Sequence, residues 1–354
     1  MTQTRYSPVF HVVALLTSAA TLVLIGVGGL VTSHGAGMSV PDWPNSYGYN
    51  MFLFPPRLWI GGVFYEHSHR LMATAVGMLA ITLVVLAFLK ESRRWVRHFT
   101  VAILAGVIIQ GVLGGLRVIL KEIDLAPIHA CVAQAFFCTT AALAVITSRW
   151  WIDAPDLSHS SHGDAGRALL RATAVVIGLI YLQLIVGAWM RHFGAGLAIP
   201  DLPLAYGHLL PPMTDAQLKA ANHARAWMPV EAGQTPLGRV TLGQIWLHFG
   251  HRMGALLVTL AIVVLASMVL RKHRRSGLVF PAISLLALLV TQLTLGVLTV
   301  LLRKPADISS LHVACGALML GTTAVLWVRS ARLYSPRPAP APPARGFPVI
   351  PAHA

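Results

Sequence analysis

Apolar positions along this chain do not alternate, nor do they recur on one helical face. They run on in blocks separated by short polar stretches. Eight blocks reach the roughly 20 residues that a helix needs to cross a bilayer: about Val9–Val31, Val63–Leu89, Phe99–Leu120, Ala126–Ser148, Ala172–Met190, Leu242–Leu270, Leu278–Leu302 and Ser309–Val328. A segment in lipid must satisfy its own backbone hydrogen bonds, so each block predicts an α-helix. The expected fold is an all-α polytopic membrane protein with eight transmembrane helices.

Basic residues orient the spans. Lys90, Arg93, Arg94 and Arg97 follow the second block, and Arg271, Lys272, Arg274 and Arg275 follow the sixth. Three arginines lie in 149–171 and four in the tail from Arg329, whereas the opposite short loops hold only Lys121, or Arg303 and Lys304. Cytoplasmic N and C termini satisfy the positive-inside rule. The net charge of +15 therefore reflects topology and anionic lipid, and excludes a nucleic-acid partner. Only Arg5 precedes the first span, which predicts a retained anchor and not a cleaved signal. Cys131, Cys138 and Cys315 all fall within spans and form no CxxC, so they are expected to be buried and apolar in role.

The chain repeats itself. HGAGMSVPDWP (34–44) returns as FGAGLAIPDLP (193–203), 159 residues later, and the QGVLGGLRV that begins at Gln110 returns as QLTLGVLTV at Gln292. The spacing grows from 159 at these loops to 182 further on, so the second outer loop holds 23 more residues. Two parallel four-helix bundles follow: an N-terminal half (1–150), a cytoplasmic linker (151–167), a C-terminal half (168–330) and a Pro-rich tail (331–354) expected to be disordered. The outer loops, roughly 32–62 and 191–241, are long enough to be functional caps. Asp42 and Asp201 in their PD motifs suit turn formation. The glycines of the spans suit close helix packing in lipid.

The repeat also carries the candidate chemistry. His69 and His251 are 182 residues apart, and His129 and His312 are 183 apart. All four open even-numbered spans, so they share one depth near the outer face, and each half brings two together. Imidazoles in a membrane read as a binding site, and a facing pair supplies the two axial ligands of a six-coordinate haem iron. Zinc fits less well, since a structural site takes four ligands. Glu66 stands one turn before His69, whereas the matching position of the second half is His248. Glu66 either pairs with an arginine at the interface or gives the first half acid–base chemistry. Arg70 and Arg252 follow the first histidine of each pair and suit haem propionates or lipid phosphates. Arg117 suits a plain interface anchor. His67, His34, His192, His208 and His223 have no spacing that commits them to a metal.

Together these residues resemble the haem A synthase family of cytochrome oxidase assembly enzymes. The resemblance rests on GAG…PDWP (Gly35–Pro44), ExxHR (Glu66–Arg70), the QGxLGGxxV end of the third span, His129 with Gln134, His251–Arg252 and Leu311–His312, and it spans Val9 to Val328. It implies oxidation of the C8 methyl of haem O to the formyl of haem A, by successive hydroxylation and loss of water. It implies a substrate haem at Glu66, His69 and His129, and an electron-passing haem b at His251 and His312. A bacterial cytoplasmic (inner) membrane is the expected location. Haem O synthase or oxidase assembly factors are candidate partners, an oligomer is open, and the electron donor is not named by the sequence. The family's cysteines flanking PDWP are replaced here by Val40 and Ser46, so no disulfide can staple this loop. The main rival reading is a di-haem electron-transfer cytochrome. A transporter is disfavoured, since transporter sites sit near the midplane.

Overall fold

The computed structural model describes residues 6–159, 163–230, 234, 237–274 and 276–335. Ten α-helices follow in order: α1 (Pro8–Ser33), α2 (Gly62–Lys90), α3 (Arg94–Ile119), α4 (Leu125–Ile146), α5 (Arg149–Asp153), α6 (Gly163–His192), α7 (Asp215–Ala226), α8 (Leu242–Lys272), α9 (Val279–Leu301) and α10 (Ala306–Tyr334). Eight of these, all but α5 and α7, are long and apolar enough to cross a membrane, and the chain is a multi-pass membrane protein. Helix α6 starts nine residues before the expected Ala172, and α10 runs six past Val328. Hydropathy marks only the part in hydrocarbon, whereas the backbone ladder continues into polar turns at either end. Most of the Pro-rich tail, 336–354, lies outside the described residues.

Helices α4 and α10 form the centre. About half of each is buried (50% and 56%), against 17–28% for the other six spans, whose remaining surface is left for lipid. Helix α10 packs on α1, α4, α6 and α9, and α4 packs on α1, α3, α6 and α10. The first half builds a core from Phe10, Ala14, Val76, Leu83, Ile103 and Leu143, and the second builds its own from Leu169, Ile180, Ile262, Leu265, Leu285 and Leu320.

Polar contacts close the helix ends. At the end of α2, Glu91 Oε1 accepts the Arg93 backbone N–H and Nε–H, and Oε2 accepts Nη2–H at 2.8 Å. Arg93 in turn donates to the Ile146 carbonyl of α4. Burial pushes the Glu91 carboxyl upward, but its bonds to Arg93 outweigh this and hold it below the ordinary carboxylate value. A depressed folded pKa contributes stability that is complete above the unfolded value and is lost as pH falls through the lower one. Glu91→Gln is therefore expected to lower the melting temperature at pH 7, by about 1 kcal/mol of stability. Wild type and variant should converge in acid below the carboxylate range, which a thermal melt series checks.

Helix α7 was not legible as a span because it is polar; it occupies the 23-residue excess of the second outer loop. A capping box starts it: Thr214 Oγ1 accepts the Gln217 N–H, and the Gln217 side chain accepts the Thr214 N–H. Buried Arg225 moors it, donating to the carbonyls of Gly238 and Leu197.

Candidate functional site

The outer loops are built to one plan. In PDWPNSYGY (41–49) both carboxylate oxygens of Asp42 accept backbone N–H groups, from Tyr47 and Gly48, each at 2.7 Å. In PDLPLAYGH (200–208) Asp201 does the same for Tyr206 (2.8 Å) and Gly207 (2.9 Å). These bonds hold Tyr47 (φ 51°) and Tyr206 (φ 56°) in the left-handed region, each followed by a glycine of like hand. That conformation costs a non-glycine residue about 1–2 kcal/mol, which the doubly engaged carboxylate offsets. Burial raises the Tyr206 phenol above its ordinary value, so it stays protonated and donates to Ala198 O. The PD aspartates are turn formers, as their motif suggests.

Helices α2 and α8 begin under these loops and bind them through matching residues. Arg70 donates to the carbonyls of Asp42 (2.6 Å), Asn45 (3.0 Å) and Val40 (2.9 Å), and Arg252 to those of Leu204 (3.0 Å) and Ile199 (2.9 Å). Neither guanidinium is turned outward to lipid, and a propionate at either would compete with loop carbonyls. Arg252 Nε remains buried without a partner. Glu66 Oε2 accepts the Val40 N–H at 2.9 Å while Oε1 pairs with Arg70 at 2.9 Å. In the second half His248 Nδ1 accepts the Ile199 N–H at 3.1 Å. Glu66 and His248 thus share one duty, receiving a loop N–H, and differ in one property: only Glu66 brings a carboxylate and an ion pair.

One turn further in stand His69 and His251, with His129 and His312 opening α4 and α10. Each imidazole lies against a glycine of a neighbouring helix. A Cβ would come 3.2 Å from His69 Cε1 at Gly28, 3.4 Å from His129 at Gly114, and 3.1 Å from His251 at Gly187 and from His312 at Gly296. These glycines obey the same two offsets as the repeat, 159 and 182, a signal available in the sequence, and the contact with a ring is part of the close helix packing that their type suits. His69 and His129 lie within electrostatic reach of each other, and so do His251 and His312. Among the described residues no cluster of three or more His, Cys, Asp or Glu could hold a metal ion.

The pairs differ in what supports their rings. His251 Nδ1 lies 3.1 Å from the Gln183 amide, which also donates to the His251 carbonyl at 2.7 Å. His312 Nε2 lies 3.3 Å from the Gln292 amide. In the first half Leu24 stands where the repeat has Gln183, and both side-chain polar atoms of Gln110 are unpartnered. The Nδ1 atoms of His69, His129 and His312 are buried without partners.

The remaining candidates fall elsewhere. His67 Nδ1 bonds Ser46 Oγ at 3.1 Å, and its ring sits between Phe54 and Trp59. Ser46 anchors the loop through this bond. His34 stacks on Tyr65, and His192 pairs with Asp124. Arg117 is not the plain anchor that its position at a helix end suggests. Its guanidinium lies directly against Gly37 of the first outer loop, and its charge acts on His69, His129 and Glu66.

Curated relatives cover most of the chain. It is 26% identical to a Heme A synthase of Symbiobacterium thermophilum over 294 residues, which is 81% of this chain and 84% of the relative. It is 26% identical to one from Halalkalibacterium halodurans over 317 residues (87% and 92%), and 23% identical to one from Shewanella oneidensis over 342 residues (89% and 96%). The family model COX15-CtaA, described as Cytochrome oxidase assembly protein, matches residues 61–324, which include all four paired histidines and Glu66. The chain belongs to the cytochrome oxidase assembly protein family COX15-CtaA.

Proposed function

We propose that the chain is a haem A synthase of a bacterial cytoplasmic membrane, oxidising the C8 methyl of haem O to a formyl group. In this reading haem O binds in the N-terminal half between His69 and His129, near the outer face. A haem b binds in the C-terminal half between His251 and His312, and both termini are cytoplasmic. The carrying observation is a duplicated histidine pair whose two copies differ at one charged position, Glu66 against His248. The names of the relatives agree with it.

The residues fit such groups. Two imidazoles of a pair would hold a haem iron, and among the described residues no group of three or more His, Cys, Asp or Glu could hold a metal ion instead. The Nδ1 atoms of His69, His129 and His312 are buried without hydrogen-bond partners, and each of the four rings lies against a glycine of a neighbouring helix. A haem b, when bound, supplies one-electron chemistry at its iron. Gln183 and Gln292 fix the orientation of the rings of the second half through their side-chain amides, and partners that orient a ring support a metal ligand. In the first half His129 has a backbone contact with Gln110 and no side-chain amide holds either ring among the described residues, a lighter grip that suits a substrate that must leave. In that half the Glu66 carboxylate, fixed by Arg70 and the Val40 N–H, sets a negative charge one turn from His69. There it stabilises positive charge developing on the reacting carbon, or holds a proton taken from it at Oε1 or Oε2.

One observation favours the rival di-haem electron-transfer cytochrome: both oxygens of Glu66 already have protein partners. Chromatographic mass analysis of haems from cells making haem O, with and without the chain, separates the two. New haem A with its hydroxylated precursor supports the enzyme. Bound haem b with haem O unchanged, under air and with adequate reductant, supports the cytochrome. Gln183→Leu, which installs the residue of the first half, is expected to weaken haem b retention about 10-fold or more. Unaltered dissociation of haem b from that variant would remove the supporting role of Gln183.

A further inference from the structure

We infer that Arg117 is the anion-binding residue of the N-terminal site and takes a carboxylate of the tetrapyrrole bound there. The inference rests on the proposed haem site and adds a residue to it. Arg117 ends α3, beside the His129-bearing start of α4, and its guanidinium lies under the first outer loop against Gly37, where a Cβ would collide with it. Its charge reaches both histidines of the pair and Glu66. Its Nε is buried without a partner, and no hydrogen bond or salt bridge engages its guanidinium among the described residues.

The nearby carboxylate does not answer it. Glu66 is committed to Arg70 and to the Val40 N–H. A half-buried guanidinium with no hydrogen-bonded counter-ion is costly, so the site has room for an anion, and a planar fork suits a carboxylate bidentately. A tetrapyrrole bound between His69 and His129 brings propionate carboxylates at its rim. The feature belongs to this half alone, since the position matching Arg117 is Thr299. The cation near His312 is instead Arg191, which already donates to the Gly29 carbonyl (2.9 Å) and to Ser33 Oγ (2.5 Å).

The test uses full-length protein stripped of haem, in nanodiscs of zwitterionic lipid, titrated with haemin and with haemin dimethyl ester while the Soret band is followed. Arg117→Gln is expected to weaken the haemin equivalent that depends on His69 by about 10-fold or more. Arg117→Lys should weaken it less. Gly37→Ala, which displaces the guanidinium without removing it, should act in the same direction as Arg117→Gln. The dimethyl ester should bind wild type and Arg117→Gln alike. Equal weakening of acid and ester, or of neither, overturns the inference. So does a loss confined to nanodiscs of anionic lipid, which assigns the guanidinium to a lipid phosphate. If His69→Ala removes no haemin equivalent from otherwise wild-type protein, the underlying site falls as well. If His69→Ala removes one and Arg117→Gln leaves it intact, only the inference falls.

Discussion

Glu66→His is expected to lower haem A formation about 100-fold while leaving the membrane fold, and the haem b proposed for the second half, in place. The substitution copies what the protein already tolerates at the matching position. His248 accepts the Ile199 N–H through Nδ1, as Glu66 accepts that of Val40, so the loop keeps an acceptor. What disappears is the carboxylate and its ion pair with Arg70. Glu66→Ala would confuse two effects, because removing one member of a buried pair strands the other at about 3–5 kcal/mol. The histidine variant reduces that difficulty, since Arg70 retains the carbonyls of Asp42, Asn45 and Val40. A loss of product of about 100-fold, within the range of a missing general base, with unchanged haem b content would tie Glu66 to the chemistry. Product at the wild-type rate would reduce Glu66 to a loop anchor, and destruction of the fold would mark the charge as structural.

The second large effect separates the two halves. His312→Ala is expected to yield protein with little haem b, the loss exceeding the roughly 10–100-fold that follows removal of a supporting residue alone. His69→Ala should retain haem b with an unaltered low-spin spectrum and form no haem A. Pairing within halves underlies this expectation: His312 lies within electrostatic reach of His251, and His129 of His69. A His69→Ala protein that loses haem b, or a His312→Ala protein that keeps it, would reverse or dissolve the division of labour. Because each pair of histidines lies at the helix starts, away from the two apolar clusters that α4 and α10 join, each alanine variant is expected to leave the fold in place.

The first outer loop illustrates how local chemistry substitutes for a covalent staple. With Val40 and Ser46 at its flanks, the segment is held by Arg70 on three carbonyls, by Glu66 on an N–H, and by His67 on the Ser46 hydroxyl. Trp43 completes the attachment from above, its ring so close to α3 that a Cβ on Gly115 would come within 2.5 Å of it. The same loop therefore sits on the start of α2 and presses on Arg117 through Gly37.

Eight spans, the internal repeat and the four histidines were determined by the sequence alone, because hydropathy blocks and fixed offsets are one-dimensional signals that survive without knowledge of contacts. The asymmetry of Glu66 against His248 belongs to the same class. Helix α7 was not readable in this way: its polar 12 residues carry no apolar run, and only the capping box at Thr214 and Gln217 marks its start. The direction of side chains was likewise decided by the tertiary structure. Arg70 and Arg252 suited propionate or lipid by position, yet they turn onto backbone carbonyls that a loop some 25–50 residues away in sequence brings over them. Arg117 looked like an interface anchor until Gly37 was seen to lie against it. A helical pattern fixes which residues share a face, but what meets that face depends on loops folding back from elsewhere, and there the partners of every buried polar group are chosen.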